Sequence, residues 1–199
     1  MRLKQTRISA VIPTFMEEQY IATLLSKIAE IEPPIEIVVV DSVSQDKTVE
    51  IAKHFTRKVY QIRERGIARA RNYGANHASG SLLVFLDADI KLPTNFAEKL
   101  YETFKDVKVV GATCHIMPEH GTLVEKAFFK FYNILIQVTA KFKPHARGEF
   151  FTVRKREFMQ VGGFDESLPC LEDHDLAHRL SRLGKFVFIS DLTVYESMR

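Results

Sequence analysis

Leu82-Leu83-Val84-Phe85-Leu86 constrains the fold of this chain more than any other stretch. It follows Gly80-Ser81 and ends abruptly at Asp87-Ala88-Asp89. Five apolar residues in a row, bounded this way, are expected to form a strand buried on both faces. Strands of that kind belong to parallel sheets covered by helices. Three earlier runs repeat the theme: Ile8 to Ile12, stopped by Pro13, then Ile35 to Val40, then Val59 to Ile62. Helical stripes lie between them. The first is Ile21, Leu24, Leu25 and Ile28; the second is Val49, Ala52 and Phe55; the third is an Ala-rich stretch, Ile67 to Ala78, carrying Arg69, Arg71 and Asn72. The alternation predicts an α/β fold with a Rossmann-like, mostly parallel sheet, right-handed crossovers and helices on both faces.

In such a sheet the carboxyl ends of the strands share one rim, where a ligand crevice opens. Thr14, Asp41 and the pair Asp87 and Asp89 are therefore expected together. Residues two apart in an extended chain point the same way, so both acids of the pair would face one target. Oxygen ligands of this kind suit Mg²⁺ or Mn²⁺. Taken alone, the same pair is better read as a helix cap and a solvated acid, so the rest of the chain must decide. Neither Gly-x-Gly-x-x-Gly nor Gly-Lys-Ser/Thr occurs, so a dinucleotide fingerprint and a P-loop are both unsupported.

The second half differs. Val107 to His115 reads as a strand, Arg147 to Val153 as a returning strand, and a charged helix follows from Arg154. Gly148 would let a substrate approach the backbone closely, and Glu149 either faces that substrate or is a solvated edge residue. Glu172 to Leu183 reads as a helix ended by Gly184. Its stripe of Leu176, Leu180 and Leu183 puts Asp173 on the buried side and His174 and His178 on the other. That His pair resembles a zinc helix only superficially, because Asp175 replaces the Glu and no third ligand is evident. Leu123 to Phe142 is apolar and aromatic, interleaved with Lys126, Lys130 and Lys141 and followed by Lys143. It is either a helix packed between the sheet and a partner surface or an interfacial helix on anionic lipid.

Composition narrows the class. The net charge of +3, without a Lys/Arg block, permits an anionic ligand and gives no footprint for nucleic acid. Cys114 and Cys170 are the only cysteines and lie far apart, so a reduced, cytoplasmic chain is expected. No apolar run reaches the ~18 residues that span a bilayer.

Several segments, in order, resemble the family-2 glycosyltransferases of the GT-A fold: Ala10 to Glu18, Val38 to Thr48, Ala70-Arg71-Asn72-Tyr73-Gly74, Phe85 to Asp89, Gly162 to Glu166 and Glu172 to Leu176. The resemblance implies an inverting enzyme using a UDP- or GDP-sugar. It implies that Pro13, Thr14, Glu17, Asp41 and Arg71 hold the nucleotide sugar, with Asp87 near the ribose and base. Asp89 would bind the Mn²⁺ or Mg²⁺ that bridges the diphosphate. Residues 1–115 would form the nucleotide-sugar half and 116–199 the acceptor half of one domain, the latter with mixed strands. The chemistry also needs a base for the acceptor hydroxyl, a role Asp173 fits, with Glu149 and Glu172 on the acceptor side. Met16 stands where the family usually has Asn, Ile90 where a further Asp often follows, and Glu196 near the place of a metal-binding His. Relatives often use lipid-linked acceptors, so contact of 123–142 with the inner face of a membrane is expected. A sugar-nucleotide nucleotidyltransferase and an inactive nucleotide-binding module are the competing readings. The first would want a basic, Gly-rich loop where Pro13 to Glu18 is acidic, and intact Asp87, Asp89 and Asp173 argue against the second.

Overall fold

The computed structural model describes residues 6–140 and 144–197. Its centre is the predicted set of apolar strands. β1 (Ile8–Thr14) pairs in parallel with β2 (Glu36–Asp41) on one side and β4 (Leu82–Leu86) on the other. β3 (Val59–Gln61) extends the sheet beyond β2. Side chains alternate between two cores. Ile8, Ala10, Ile12, Val39, Val84 and Leu86 meet Ile21, Leu24, Leu25 and Ile28 of α1 (Ile21–Ala29). Val11, Val38, Val40, Leu83 and Phe85 meet the alanines of α3 (Ile67–His77) on the opposite face. α2 (Thr48–Lys53) links β2 to β3.

One boundary differs from the sequence expectation. β1 does not stop at Pro13 but continues to Thr14, paired with Asp41. Pairing with β4 has already ended at Val11↔Phe85, so the missing N–H of Pro13 interrupts nothing on that side.

Beyond β4 the chain forms β5 (Ile90–Lys91), α4 (Phe96–Thr103), β6 (Val109–Pro118), α5 (Leu123–Thr139), β7 (Phe150–Arg154), α6 (Lys155–Gln160), α7 (Glu172–Ser181) and β8 (Lys185–Glu196). The order across the single sheet is β3-β2-β1-β4-β7-β6-β8-β5, with β7 antiparallel to both neighbours. β5 follows β4 after the short turn 87–89, yet it pairs with β8 at the far end of the sheet. The sheet must therefore curl, which brings the C-terminal end of β8 back to the acidic turn.

The ends of α5 and α7 follow ordinary helix chemistry. Thr122 and Glu125 form a reciprocal capping box at the start of α5. α7 carries Glu172, Asp173 and Asp175 in its first turn and His178 and Arg179 in its last, matching the helix dipole. Only Asn133 and Ile136 of α5 are fully buried, against β6, and the outward side chains of this helix are exposed. Lys141, Phe142 and Lys143, the end of the expected amphipathic stretch, lie outside the described residues. No helix among the described residues is long and apolar enough to cross a membrane.

Candidate active site

The strand ends do share a rim. Thr14 at the end of β1 donates to Asp41 at the end of β2 over 3.0 Å. Asp41 also accepts from the backbone and the hydroxyl of Ser44, so protein donors occupy both of its oxygens. A cavity of about 610 Å³ opens in front of these ends. Pro13, Thr14, Glu17, Asp87, Asp89 and Glu196 contribute to its walls, together with Phe15 and Arg65, whose guanidinium stacks over the Phe15 ring at 4.2 Å.

Asp87 and Asp89 reach this cavity by a route the sequence did not suggest. The extended backbone ends at Leu86, and residues 87–89 form a turn before β5. It is the turn, not strand alternation, that brings both carboxylates to one space. Asp87 is half-buried, with 28% of its side chain exposed, and desolvation pushes its carboxyl up against the opposing pull of Arg71. Asp89 is 9% exposed. Glu196 comes alongside because β8 pairs with β5 in the register Ile90↔Glu196, and the Ser197 backbone N–H donates to Asp89 O over 3.2 Å. Burial and the neighbouring Glu149 carboxylate lift Glu196 to about 7. Its Oε2 is buried without a hydrogen-bond donor, 3.6 Å from the Arg147 guanidinium.

Arg71 does not line the cavity; it stands behind it, 1% exposed. One guanidinium nitrogen donates to Asp87 Oδ1 at 2.9 Å and to the Gly148 carbonyl at 2.7 Å, and the other donates to Glu172 Oε1 at 2.9 Å. A side chain at position 148 would crowd this group, since a Cβ there would sit 3.0 Å from an Arg71 nitrogen and the guanidinium would have to give by a few tenths of an ångström. Arg71 thus ties the acidic turn after β4 to the first turn of α7.

Glu149 pairs with Arg147, and its carbonyl accepts the Asp87 N–H at 3.3 Å. Asp173, one residue beyond Glu172, is 8% exposed and packed on the side of α7 that carries Leu176 and Leu180. Burial raises it to about 6, opposed by the His174 backbone N–H and by Arg71, and reinforced by Glu172 and Glu149. His174 is not the exposed residue that the periodicity suggested. It is partly buried, its Nδ1 lies 2.7 Å from His145 Nδ1, and burial lowers its basicity. The loop containing His145 and Arg147 folds over this side of α7, which α7's own pattern could not reveal.

Sequence reasoning missed Arg147, Arg65 and the adjacency of Glu196 to Asp89. Of these, only Glu196 had a signal, its place near the family's metal-binding His. Among the described residues no three His, Cys, Asp or Glu side chains converge into a metal cluster. The cavity instead offers separate carboxylates, Asp89 foremost.

Comparisons with known proteins fit this geometry. The sequence profile of Glycosyl transferase family 2 matches residues 9–162. A dolichol-phosphate mannosyltransferase from Pyrococcus furiosus is 29% identical over 164 residues, covering 75% of this chain and 46% of that protein. Glycosyltransferase AglE from Haloferax volcanii is 27% identical over 172 residues, covering 81% and 57% respectively. The chain thus spans about half the length of the curated relatives it matches. The mannosyltransferase PcManGT from Pyrobaculum calidifontis, solved with GDP-Man and Mn²⁺, superposes with a TM-score of 0.81 at 25% identity, over 96% of this chain and 56% of that one. S. aureus TarS solved with UDP-GlcNAc shares the fold, with a TM-score of 0.76 at 21% identity, over 97% and 59% of the two chains. The curled sheet with its helices is the GT-A architecture of these neighbours, and the chain belongs to glycosyl transferase family 2.

Proposed function

We propose that this chain transfers a sugar from a UDP- or GDP-sugar to an acceptor hydroxyl, by a metal-dependent displacement with inversion. One observation carries the reading: the ends of three strands, β1, β4 and β8, deliver Thr14, Asp87, Asp89 and Glu196 to a single cavity large enough for a nucleotide sugar. In this reading Pro13, Thr14 and Glu17 border the nucleotide, and Asp41 fixes the ends of β1 and β2 beneath it. Asp87 faces the ribose from its bond to Arg71. Residues 1–115 form the donor half and 116–199 the acceptor half.

The donor set fits a hard divalent cation. Every candidate ligand is a carboxylate, and Glu196 holds a buried oxygen with no hydrogen donor. Asp89 would hold Mn²⁺ or Mg²⁺, with Glu196 next to it and the remaining positions left to the diphosphate. Such an ion supplies charge neutralisation at the leaving group. Asp173, ionised, accepts the proton of the acceptor hydroxyl, and burial has already brought its basicity close to neutral pH. Glu172 is held by Arg71 and Glu149 by Arg147, so both can orient an acceptor without competing for its proton. Attack from the Asp173 side, opposite the diphosphate, inverts the anomeric carbon. An acceptor carried on lipid, met at the inner face of a membrane with 123–142 against the surface, completes the reading.

The test is a panel of UDP-, GDP- and TDP-sugars offered with Mn²⁺, with Mg²⁺ and with chelator. Thermal stabilisation and nucleotide release should appear for one base class and vanish with chelator. A chain that responds to no sugar nucleotide in the presence of either ion would overturn the proposal.

A further inference from the structure

The outward face of α5 is apolar without interruption. With 3.6 residues per turn, Leu123, Val124, Phe128, Phe131, Ile134 and Val138 fall within less than half of the helix circumference. All six are exposed, Leu123 at 88%, Val124 at 79% and Phe131 at 66%. A continuous apolar patch of this kind marks an interaction surface rather than a solvated face. Its border carries charge of one sign. Lys126 and Lys130 stand along one edge, and the only acid of the helix, Glu125, is turned back into the capping box with Thr122.

We infer that this face docks the protein on an anionic lipid bilayer, with α5 lying flat, its aromatic side chains in the headgroup boundary and its lysines among the headgroups. Charge complementarity selects this occupant: an apolar stripe edged by lysines and free of acids matches a negatively charged interface. The opposite face of the same helix touches the site. Phe129 and Tyr132 flank the Arg147 guanidinium at 4.9 and 5.4 Å, and Arg147 pairs with Glu149 and lies 3.6 Å from Glu196. One helix therefore stands between the bilayer and the carboxylates, and docking turns the acceptor side toward the surface. That last consequence rests on the glycosyltransferase reading; the docking itself does not.

The experiment is sedimentation with vesicles of phosphatidylcholine alone and of phosphatidylcholine with phosphatidylglycerol, at low and high salt. It is run on the wild type, on Phe128→Ser with Phe131→Ser, and on Lys126→Gln with Lys130→Gln. Circular dichroism, sedimentation velocity and Mn²⁺-dependent nucleotide binding are measured on each. The wild type should bind anionic vesicles at low salt and be released by high salt. The Phe variant should lose binding, and the Lys variant should bind roughly thirtyfold more weakly. Nucleotide binding should be equal in all three. If the Phe variant does not fold, the Lys variant and the salt response still decide. No sedimentation with anionic vesicles, or equal sedimentation with neutral ones, would overturn the inference. So would a wild-type dimer that the Phe substitutions dissolve without any lipid binding, since the face would then belong to a second copy. Loss of nucleotide binding throughout, with vesicle binding intact, would instead sink the functional reading and leave the docking surface standing.

Discussion

Asp173 offers the sharpest test of the chemistry, because burial has moved it from an ordinary 3.8 to about 6. A base must be ionised to accept a proton. At pH 7 about nine-tenths of such a group is ionised, and at pH 5 about a tenth, whereas an unperturbed Asp would still be almost wholly ionised there. Transfer to acceptor should therefore fall roughly tenfold between pH 7 and 5, with a slope of one. Nucleotide binding followed over the same range separates this fall from the titration of Glu196 on the donor side. Asp173→Asn should cost roughly 10² or more in turnover, leave donor affinity unchanged and abolish the slope. The same displacement makes a stability prediction. A carboxyl whose folded pKa is raised gains stability as pH falls through about 6 and loses it on ionising. Removing the ionisation should thus stabilise the protein at pH 7, by at most about 3 kcal/mol, with the gain vanishing below about pH 4. Urea denaturation at both pH values measures it. An Asp173→Asn variant that keeps more than a tenth of the turnover, or is destabilised at pH 7, would refute the assignment.

Other consequences follow from single residues. Asp89→Ala should abolish Mn²⁺-dependent nucleotide binding by calorimetry with the melting temperature preserved, whereas Asp87→Ala should weaken binding and retain a metal response. Glu36 is pushed up by burial, but Lys58, Ser9 and Ser79 outweigh that and hold it at about 2. Its carboxylate stabilises the fold above about pH 4.5 and ceases to do so as pH falls toward 2, so Glu36→Gln should cost about 2 kcal/mol at pH 7, allowing for its partial exposure, and nothing near pH 2. At Gly74 a Cβ would come within 2.4 Å of Val11 Cγ1, so Gly74→Ala should lift α3 off the sheet and cost about 2 kcal/mol by urea denaturation. Adding Val11→Ala should recover part of that loss.

The central strands were legible because each is a mostly apolar run, broken only by Ser9 in β1 and Glu36 at the start of β2, and burial on both faces demands such a run. β8 was not. Between Cys114↔Ile189 and His115↔Thr193 its pairing with β6 skips a bulge at Ser190, Asp191 and Leu192, which scrambles any two-residue period. β5 is two residues long and exists only because the sheet curls far enough to offer it β8. α4 did carry a signal, Phe96, Leu100 and Phe104 at spacings of four, all buried. Within the site, rim residues such as Thr14 and Asp41 followed from topology alone. Arg71 shows the limit: its motif marked it as important, but periodicity carries no information about which carboxylates a buried guanidinium meets. His174 failed for the same reason, since its partner His145 lies on a loop 29 residues away.

Arg71 also ties the proposed donor and acceptor sides of the site to one another. A guanidinium at 1% exposure is costly to desolvate and is tolerated only with its charge matched and its terminal nitrogens hydrogen-bonded, as here, where the Nε alone is left without a partner. Here the matching groups come from three places distant in sequence: Asp87 after β4, the Gly148 carbonyl before β7, and Glu172 at the start of α7. None of the three can move without leaving a buried charge or donor unsatisfied. The turn that carries Asp89 and the helix that carries Asp173 are therefore fixed to one another through a single side chain. The proposed displacement with inversion would need that rigidity, because leaving group and base must stay aligned on opposite sides of one carbon to within a fraction of an ångström. Lysine at 71 would keep the charge but could not fork to two carboxylates and a carbonyl, so the arginine is required by geometry rather than by charge alone.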